Sequence, residues 1–224
     1  MIAKKINVII YAWAVVGLAA SGCHSMNKTQ KGAVIGAGAG GTVGAIIGKA
    51  AGNTALGAII GGALGGTAGA FIGRNMDREA ADIQKAVPNA RVVRQSEGII
   101  VNFDSGSFFD AGRPELKPMA KTDLRNLSAA LKKDSDTNII IIGHTDNSRL
   151  ETQNQNLSLN RATAVRNYLA SAGIETDRMS TAGKGAAEPV ADNSTAEGRA
   201  KNRRVELVII ASDKLKNQAK QAQN

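Results

Sequence analysis

The sequence predicts an α/β domain of βαβ type, with helices packed on a mixed sheet, preceded by a helical glycine-zipper hairpin. Three observations carry that reading. Apolar strands at "RVVRQ", "GIIVNF", "NIIIIGH" and "RRVELVIIA" are interleaved with stretches of helical period, and strands that alternate with helices make a layered α/β fold. Glycine recurs every fourth residue between Gly32 and Gly73. The chain also opens on a charged, then apolar, then small-residue segment that ends at its one cysteine.

That opening segment, residues 1–22, has Lys4 and Lys5 ahead of an apolar run from Ile6 to Ala20. It is laid out as an export signal, and the run is short for a membrane span. Cys23 is the only cysteine, so no internal disulfide forms. Following Ala20, Ser21 and Gly22, it resembles the lipobox of bacterial lipoproteins, in which that cysteine is acylated and becomes the new N-terminus; Ala20 departs from the commoner Leu. A free cysteine beside an ordinary cleavage site is the plainer alternative. Acyl chains contribute about 0.8 kcal/mol per buried CH₂, so several would hold the chain firmly on a bilayer. His24 stands where an Asp would favour inner-membrane retention, and the resemblance therefore implies the outer membrane, facing the periplasm. Residues 23–31 are read as a lipidated tether.

Residues 32–73 carry glycine at 32, 36, 40, 44, 48 and 52, slip phase at Asn53-Thr54, and resume at 57, 61, 65, 69 and 73. Each helical glycine costs roughly 1 kcal/mol relative to Ala. Close approach of two backbones, as in small-xxx-small packing, would offset that cost. Two rows joined by a turn imply a hairpin, suited to self-association or to insertion in lipid; a low-complexity spacer is the alternative. Lys28 and Lys31 before it and Arg74, Asp77 and Arg78 after it place both ends on one side of any membrane. Residues 74–90 read as a charged linker or stalk that Pro88 stops.

The folded unit is predicted over 91–211. "ARVVRQ" and "GIIVNF" form an antiparallel hairpin around Ser96-Glu97-Gly98. A helix from about Lys117 to Lys133 has Pro118 in its first turn and a stripe at Leu116, Ala120, Leu124, Leu127 and Leu131. "NIIIIGH" is predicted as a central strand covered on both faces. A second helix follows from about Gln155 to Ser171, then a short strand "RMSTAG", a polar loop from Lys184 to Lys201, a final strand, and a polar tail over 212–224.

The chain carries a net charge of +9, yet residues 91–211 hold 17 Lys or Arg against 15 Asp or Glu. A nucleic-acid binder concentrates charge on its folded unit and adds aromatic platforms. Neither feature is present, so no nucleic-acid partner is expected.

Two charges stand out in the folded unit. Leu157, Arg161, Val165 and Leu169 recur every four residues, which puts Arg161 on or beside the stripe that faces the sheet. A guanidinium there must meet an anion or cost several kcal/mol. Asp146 follows the carboxyl end of the central strand, where α/β sheets tend to bind ligands, and Asp104 ends an earlier strand likewise. A purely structural ion pair is the bland alternative.

Here a resemblance sharpens. "GHTDNSRLETQNQNLSLNRATAVRNYL", then Gly183 and "GRAKNRRVEL", resembles the OmpA-like peptidoglycan-binding domain: a TD pair, N-x-x-L-S-x-x-R-A-x-x-V, then N-R-R-V. The matching positions are Thr145-Asp146, Asn154, Leu157-Ser158, Arg161-Ala162, Val165 and Asn202-Arg203-Arg204-Val205. With the glycine segment ahead of it, the whole is similar to outer-membrane lipoproteins of YiaD type. The resemblance implies that the ligand is the diaminopimelate residue of peptidoglycan stem peptides, whose free end bears an ammonium and a carboxylate on one carbon. Arg161 would grip the carboxylate as a planar fork and Asp146 take the ammonium. Phe103-Asp104 would supply a strand-end contact, Thr145 would stand beside Asp146, and Leu157 would form an apolar wall. Asn154 is expected to cap the second helix. Arg203 and Arg204 would line the groove or form a sheet-edge salt bridge. Arg149 departs from the pattern, where relatives often carry Gly.

An enzyme would have to use His144, Asp146 and Asp104 as acid and base. With two histidines and one cysteine, neither a metal cluster nor a Cys-His nucleophile assembles. Catalysis is not expected, and no cofactor or metal is expected beyond the covalent lipid on Cys23. A different class of function makes the glycine hairpin the working part, oligomerising or entering the membrane, with the folded domain serving only as its tether.

Overall fold

The computed structural model describes residues 66–222 apart from Ser96 and Ala111. Cys23, the signal segment and the first glycine row lie outside the described residues. Helix α1 (Gly66–Ala86) leads into strands β1 (Arg91–Gln95) and β2 (Gly98–Asp104). A four-residue turn of helix α2 (Ser105–Phe108) and helix α3 (Pro118–Leu131) precede strand β3 (Thr137–His144). Helix α4 (Glu151–Ser171), strand β4 (Met179–Gly183), helix α5 (Ala196–Asn202), strand β5 (Arg204–Ala211) and helix α6 (Asp213–Gln221) complete the order. Among the described residues no helix is long and apolar enough to cross a membrane.

The strands form one mixed sheet in the order β1-β2-β5-β3-β4. Only β3 and β4 run parallel, joined by the α4 crossover. "NIIIIGH" is an interior strand, paired on both sides, beside the last strand β5, which lies midmost and has every residue buried. Its antiparallel entry between β2 and β3 is what makes the sheet mixed. Alternation divides β3: Ile139 and Ile141 join the main core, whereas Ile142 packs with Ile100, Val208 and Ile210 on the opposite face. The buried apolar side chains of α1, α3, α4 and α6 all belong to the first cluster, so these helices form a layer on one side of the sheet.

The segment expected as a stalk is part of the domain. Ala68, Ile72, Met76, Ala80 and Ile83 recur at three- and four-residue spacing and are buried in the main core, as is Val87 just beyond the helix. That stripe docks α1 on the sheet and on α3. Arg94 on β1 pairs with Asp77 at 2.8 Å and donates to the Gly73 carbonyl at 3.2 Å. The tail is also structured. Ser212 accepts from the Leu215 amide as the N-cap of α6, and Leu215 and Ala219 are buried in the same core.

Helix α3 starts at Pro118, as its sequence predicts, with Ala120, Leu124, Leu127 and Leu131 buried. Helix α4 starts at Glu151, four residues earlier than its stripe suggested, with Leu150 at the N-cap position and no side-chain cap. Asn154 therefore does not cap it. Its amide donates back to the Arg149 carbonyl at 3.1 Å, inside the first turn.

Candidate functional site

Two glycines set where α4 lies. Gly143 and Gly183 sit side by side in the β3–β4 register. A Cβ on Gly143 would overlap the Ser158 carbonyl, and one on Gly183 would crowd Ser158 and Leu159. Helix and strands meet here backbone to backbone. Ser158 locks the contact: its hydroxyl accepts from the Gly185 amide at 3.0 Å and donates to the Gln155 carbonyl at 2.8 Å. One turn further along α4 comes Arg161, brought close to the strand end that carries Asp146. Gly143→Ala is expected to push α4 outward and destabilise the domain by about 1–3 kcal/mol. A urea titration of the variant beside the parent chain checks this.

After β3 ends at His144, the Thr145 amide donates to the Gly185 carbonyl at 2.9 Å, which fixes the turn. Asp146 follows with both carboxylate oxygens engaged. Oδ1 accepts from the Ser148 amide at 3.0 Å, and Oδ2 accepts from Arg203 at 2.7 Å. Burial alone would raise its pKa, but the hydrogen bonds from Arg203 and Ser148 and the Arg203 charge bring it below the usual carboxylate value. Asp146 is thus an anion across the neutral range.

Arg161 is only 2% exposed. Its Nε donates to the Arg113 carbonyl at 3.1 Å and an Nη to the Asp110 carbonyl at 3.2 Å. The guanidinium carbon lies 5.0 Å from the centre of the Phe109 ring. Among the described residues it has no salt-bridge partner. Burial, then the Arg203 charge, lowers its pKa to about 10, which still leaves it charged at neutral pH. It is a dehydrated cation held by neutral dipoles.

Asp146 and Arg161 open onto one cavity of about 200 Å³, together with Thr145, Asn154, Leu157 and Arg203. Thr145 Oγ1 and Asn154 Oδ1 are buried there without a hydrogen-bond partner among the described residues. Unsatisfied polar atoms are costly when buried, and two in one lining mark a place where a polar ligand would be held.

Other expected residues lie elsewhere. Phe103 is buried in the core with its ring centre 4.5 Å from that of Phe108; the aromatic face beside Arg161 is Phe109, which the sequence reading missed. Asp104 turns its carboxylate to the Gly106 amide at 2.9 Å, at the start of α2, outside the cavity lining. Arg203 and Arg204 separate: Arg203 pairs with Asp146, whereas Arg204 is buried against Glu206 at 2.7 Å, away from the cavity. Burial raises the Glu206 pKa, but His144 and Arg204 outweigh it and bring it down to about 2. His144 faces that pair, its Nε2 3.8 Å from Glu206 Oε2, and does not line the cavity with Asp146. The backbone carbonyls of Asp110 and Arg113 left no signature in the sequence because any residue supplies a carbonyl.

Comparison with known proteins fits this geometry. A model of the OmpA family matches residues 108–203, and a model of the YMGG-like Gly-zipper matches residues 1–77. The chain is 35% identical to the probable lipoprotein YiaD of Escherichia coli over 216 residues, covering 92% of this chain and 98% of that protein. It is 42% identical over 114 residues to outer membrane protein A of Bordetella avium, covering 51% of this chain and spanning only 59% of that protein's length. Among solved structures, the cell wall anchor of the T6SS from Pseudomonas aeruginosa superposes with a TM-score of 0.54 at 30% identity, covering 61% of this chain and 97% of that one.

Proposed function

Because the chain belongs to the OmpA family, in the YiaD-type form that carries a Gly-zipper ahead of the domain, we propose that it is a non-catalytic tether between the outer membrane and peptidoglycan. The folded domain holds the wall and acyl chains on Cys23 hold the membrane, on its periplasmic side. The ligand is the free end of a diaminopimelate residue in a stem peptide. One observation carries this choice: a buried guanidinium without a carboxylate partner shares a cavity with an ionised carboxylate and two unpaired polar atoms. A carboxylate and an ammonium on one carbon complement that set. Arg161 would receive the carboxylate in a nearly dry setting, where a charge-assisted bond is strong. The ammonium would sit on Asp146, with the Asn154 carbonyl oxygen as a second acceptor. Leu157 would cover the methylene chain.

Each domain makes few contacts, so affinity for a single stem is modest. Confinement to a membrane that faces a polymer with many stems supplies avidity. The relative whose name describes a cell wall anchor supports the same role. Binding to isolated sacculi tests it. Sacculi with diaminopimelate are expected to retain the full chain at least tenfold better than sacculi with lysine in its place, because lysine lacks the distal carboxylate; a tenfold ratio corresponds to about 1.4 kcal/mol. Equal retention on both would exclude the amino-acid-end model.

A further inference from the structure

The charges around the cavity do not balance. Its lining holds Asp146 together with Arg149, Arg161 and Arg203. Arg203 is neutralised by Asp146 at 2.7 Å. Neither Arg161 nor Arg149 has a salt-bridge partner among the described residues. A zwitterionic amino-acid end brings one carboxylate with its ammonium. Its carboxylate answers Arg161, its ammonium shares Asp146 with Arg203, and Arg149 is left facing no anion.

Arg149 is placed by the fold. It sits on the turn between Asp146 and α4, and its guanidinium lies over Gly112, where any Cβ would overlap it. Gly112 has φ +72, a left-handed conformation that glycine adopts without strain. The flanking carbonyls, of Asp110 and Arg113, are the ones that hold Arg161. One short loop therefore holds Arg161 and lies beneath Arg149, an exposed side chain at the same cavity, and Arg149 is near enough that its charge weakens Arg161's hold on its proton. Two like charges brought together around an opening are relieved by an anion that bridges or neighbours them.

We infer that Arg149 is a specificity-determining residue that reads a second carboxylate of the stem peptide, so that the site selects a stem with two free carboxylates over one with the amino-acid end alone. This rests on the reading of the cavity as a diaminopimelate site. A stem peptide offers that second carboxylate from two sources. One is the inner carboxyl of diaminopimelate, free where the stem ends at that residue. The other is the α-carboxyl of the γ-linked glutamyl residue before it. Either is a planar acceptor suited to a guanidinium fork.

The test titrates the full chain in detergent with three synthetic tripeptides, L-alanyl-γ-D-glutamyl-meso-diaminopimelate and its two mono-amides, one at each candidate carboxyl, followed by calorimetry. At least one amide is expected to bind about tenfold more weakly than the parent tripeptide, and which one identifies the source. Arg149→Ala is expected to bind the parent as weakly as the natural chain binds that amide and to stop distinguishing the two, with Arg149→Lys in between. The inference is overturned if the natural chain binds all three alike, or if Arg149→Ala still distinguishes them as the natural chain does. Failure of the underlying site looks different: the parent tripeptide would then bind neither better nor worse to Arg161→Ala than to the natural chain. Equal binding of all three tripeptides that is lost in Arg161→Ala removes only the role given to Arg149.

Discussion

Arg161→Ala is expected to abolish cosedimentation of the full chain with diaminopimelate-containing sacculi, with single-stem affinity falling about 100-fold or more. The size follows from how the side chain is held. Removing water from a guanidinium is expensive, and here folding has already done so, with the Asp110 and Arg113 carbonyls and the Phe109 ring as replacement. An incoming carboxylate would meet a cation that need not be stripped again. A hydrogen bond to a charged group contributes about 1.5–3 kcal/mol, and leaving its partner buried and unpaired costs more. The variant leaves the ligand carboxylate in that position. Since the same side chain ties the loop 109–113 to α4, Arg161→Lys is the necessary companion: it keeps a cation there but loses the fork, and is expected to retain the fold with weakened binding. Asp146→Asn, which leaves Arg161 untouched, is expected to lose binding as well. Circular dichroism and thermal unfolding report the fold of each variant. Wall retention by Arg161→Ala and Asp146→Asn alike would remove the site.

The second large effect concerns an acid outside the cavity. Glu79 on α1 is 1% exposed and lines a cavity with Asp134 and Thr137. One oxygen accepts from the Thr137 hydroxyl at 3.2 Å, and the other has no partner among the described residues. Burial, reinforced by the Asp134 charge, raises its pKa from 4.5 to about 8, against smaller opposing contributions from Thr137 and Arg178. The folded state therefore binds this proton more tightly than the unfolded state does. Stability from this group is complete below the unfolded value of 4.5, declines as pH rises from there to about 8, and is level above. The swing is at most about 5 kcal/mol. Glu79→Gln, neutral at every pH, is expected to abolish the decline and to be the more stable form at pH 8. Hydrogen exchange along α1, corrected for intrinsic rate, measures it in the full chain: protection in the natural sequence should weaken between pH 5 and pH 8, and in the variant stay constant. Parallel pH dependence in both proteins would show that Glu79 is not the group responsible.

Much of this architecture could be read from residue pattern, because the physics that places a strand or an amphipathic helix is local. The hairpin of β1 and β2, the stripe of α3 and the run of β3 were legible in that way. So was the proximity of Asp146 and Arg161, since a charge on an apolar stripe demands an explanation. Their actual partners were not legible. Arg161 is held by main-chain carbonyls 48 and 51 residues away in sequence, and Asp146 by an arginine 57 residues away. Helix α1 was misjudged for a different reason. Its charged residues Arg74, Asp77, Arg78 and Asp82 suggested a solvated stalk, yet Ala68, Ile72, Met76, Ala80 and Ile83 had the spacing of a buried face throughout. The expected contact from Phe103 failed because the aromatic beside the arginine, Phe109, comes from the segment just after α2 instead.

Within the described residues helix α1 runs from Gly66, inside the second glycine row, to Ala86. It takes Gly69 and Gly73 with it, and its 21 residues extend about 30 Å. Ala68, Ile72, Met76, Ala80 and Ile83 pack that length into the core, so the helix adds no reach beyond the domain. Removing one turn of α1 would strip apolar side chains from the core rather than shorten a spacer.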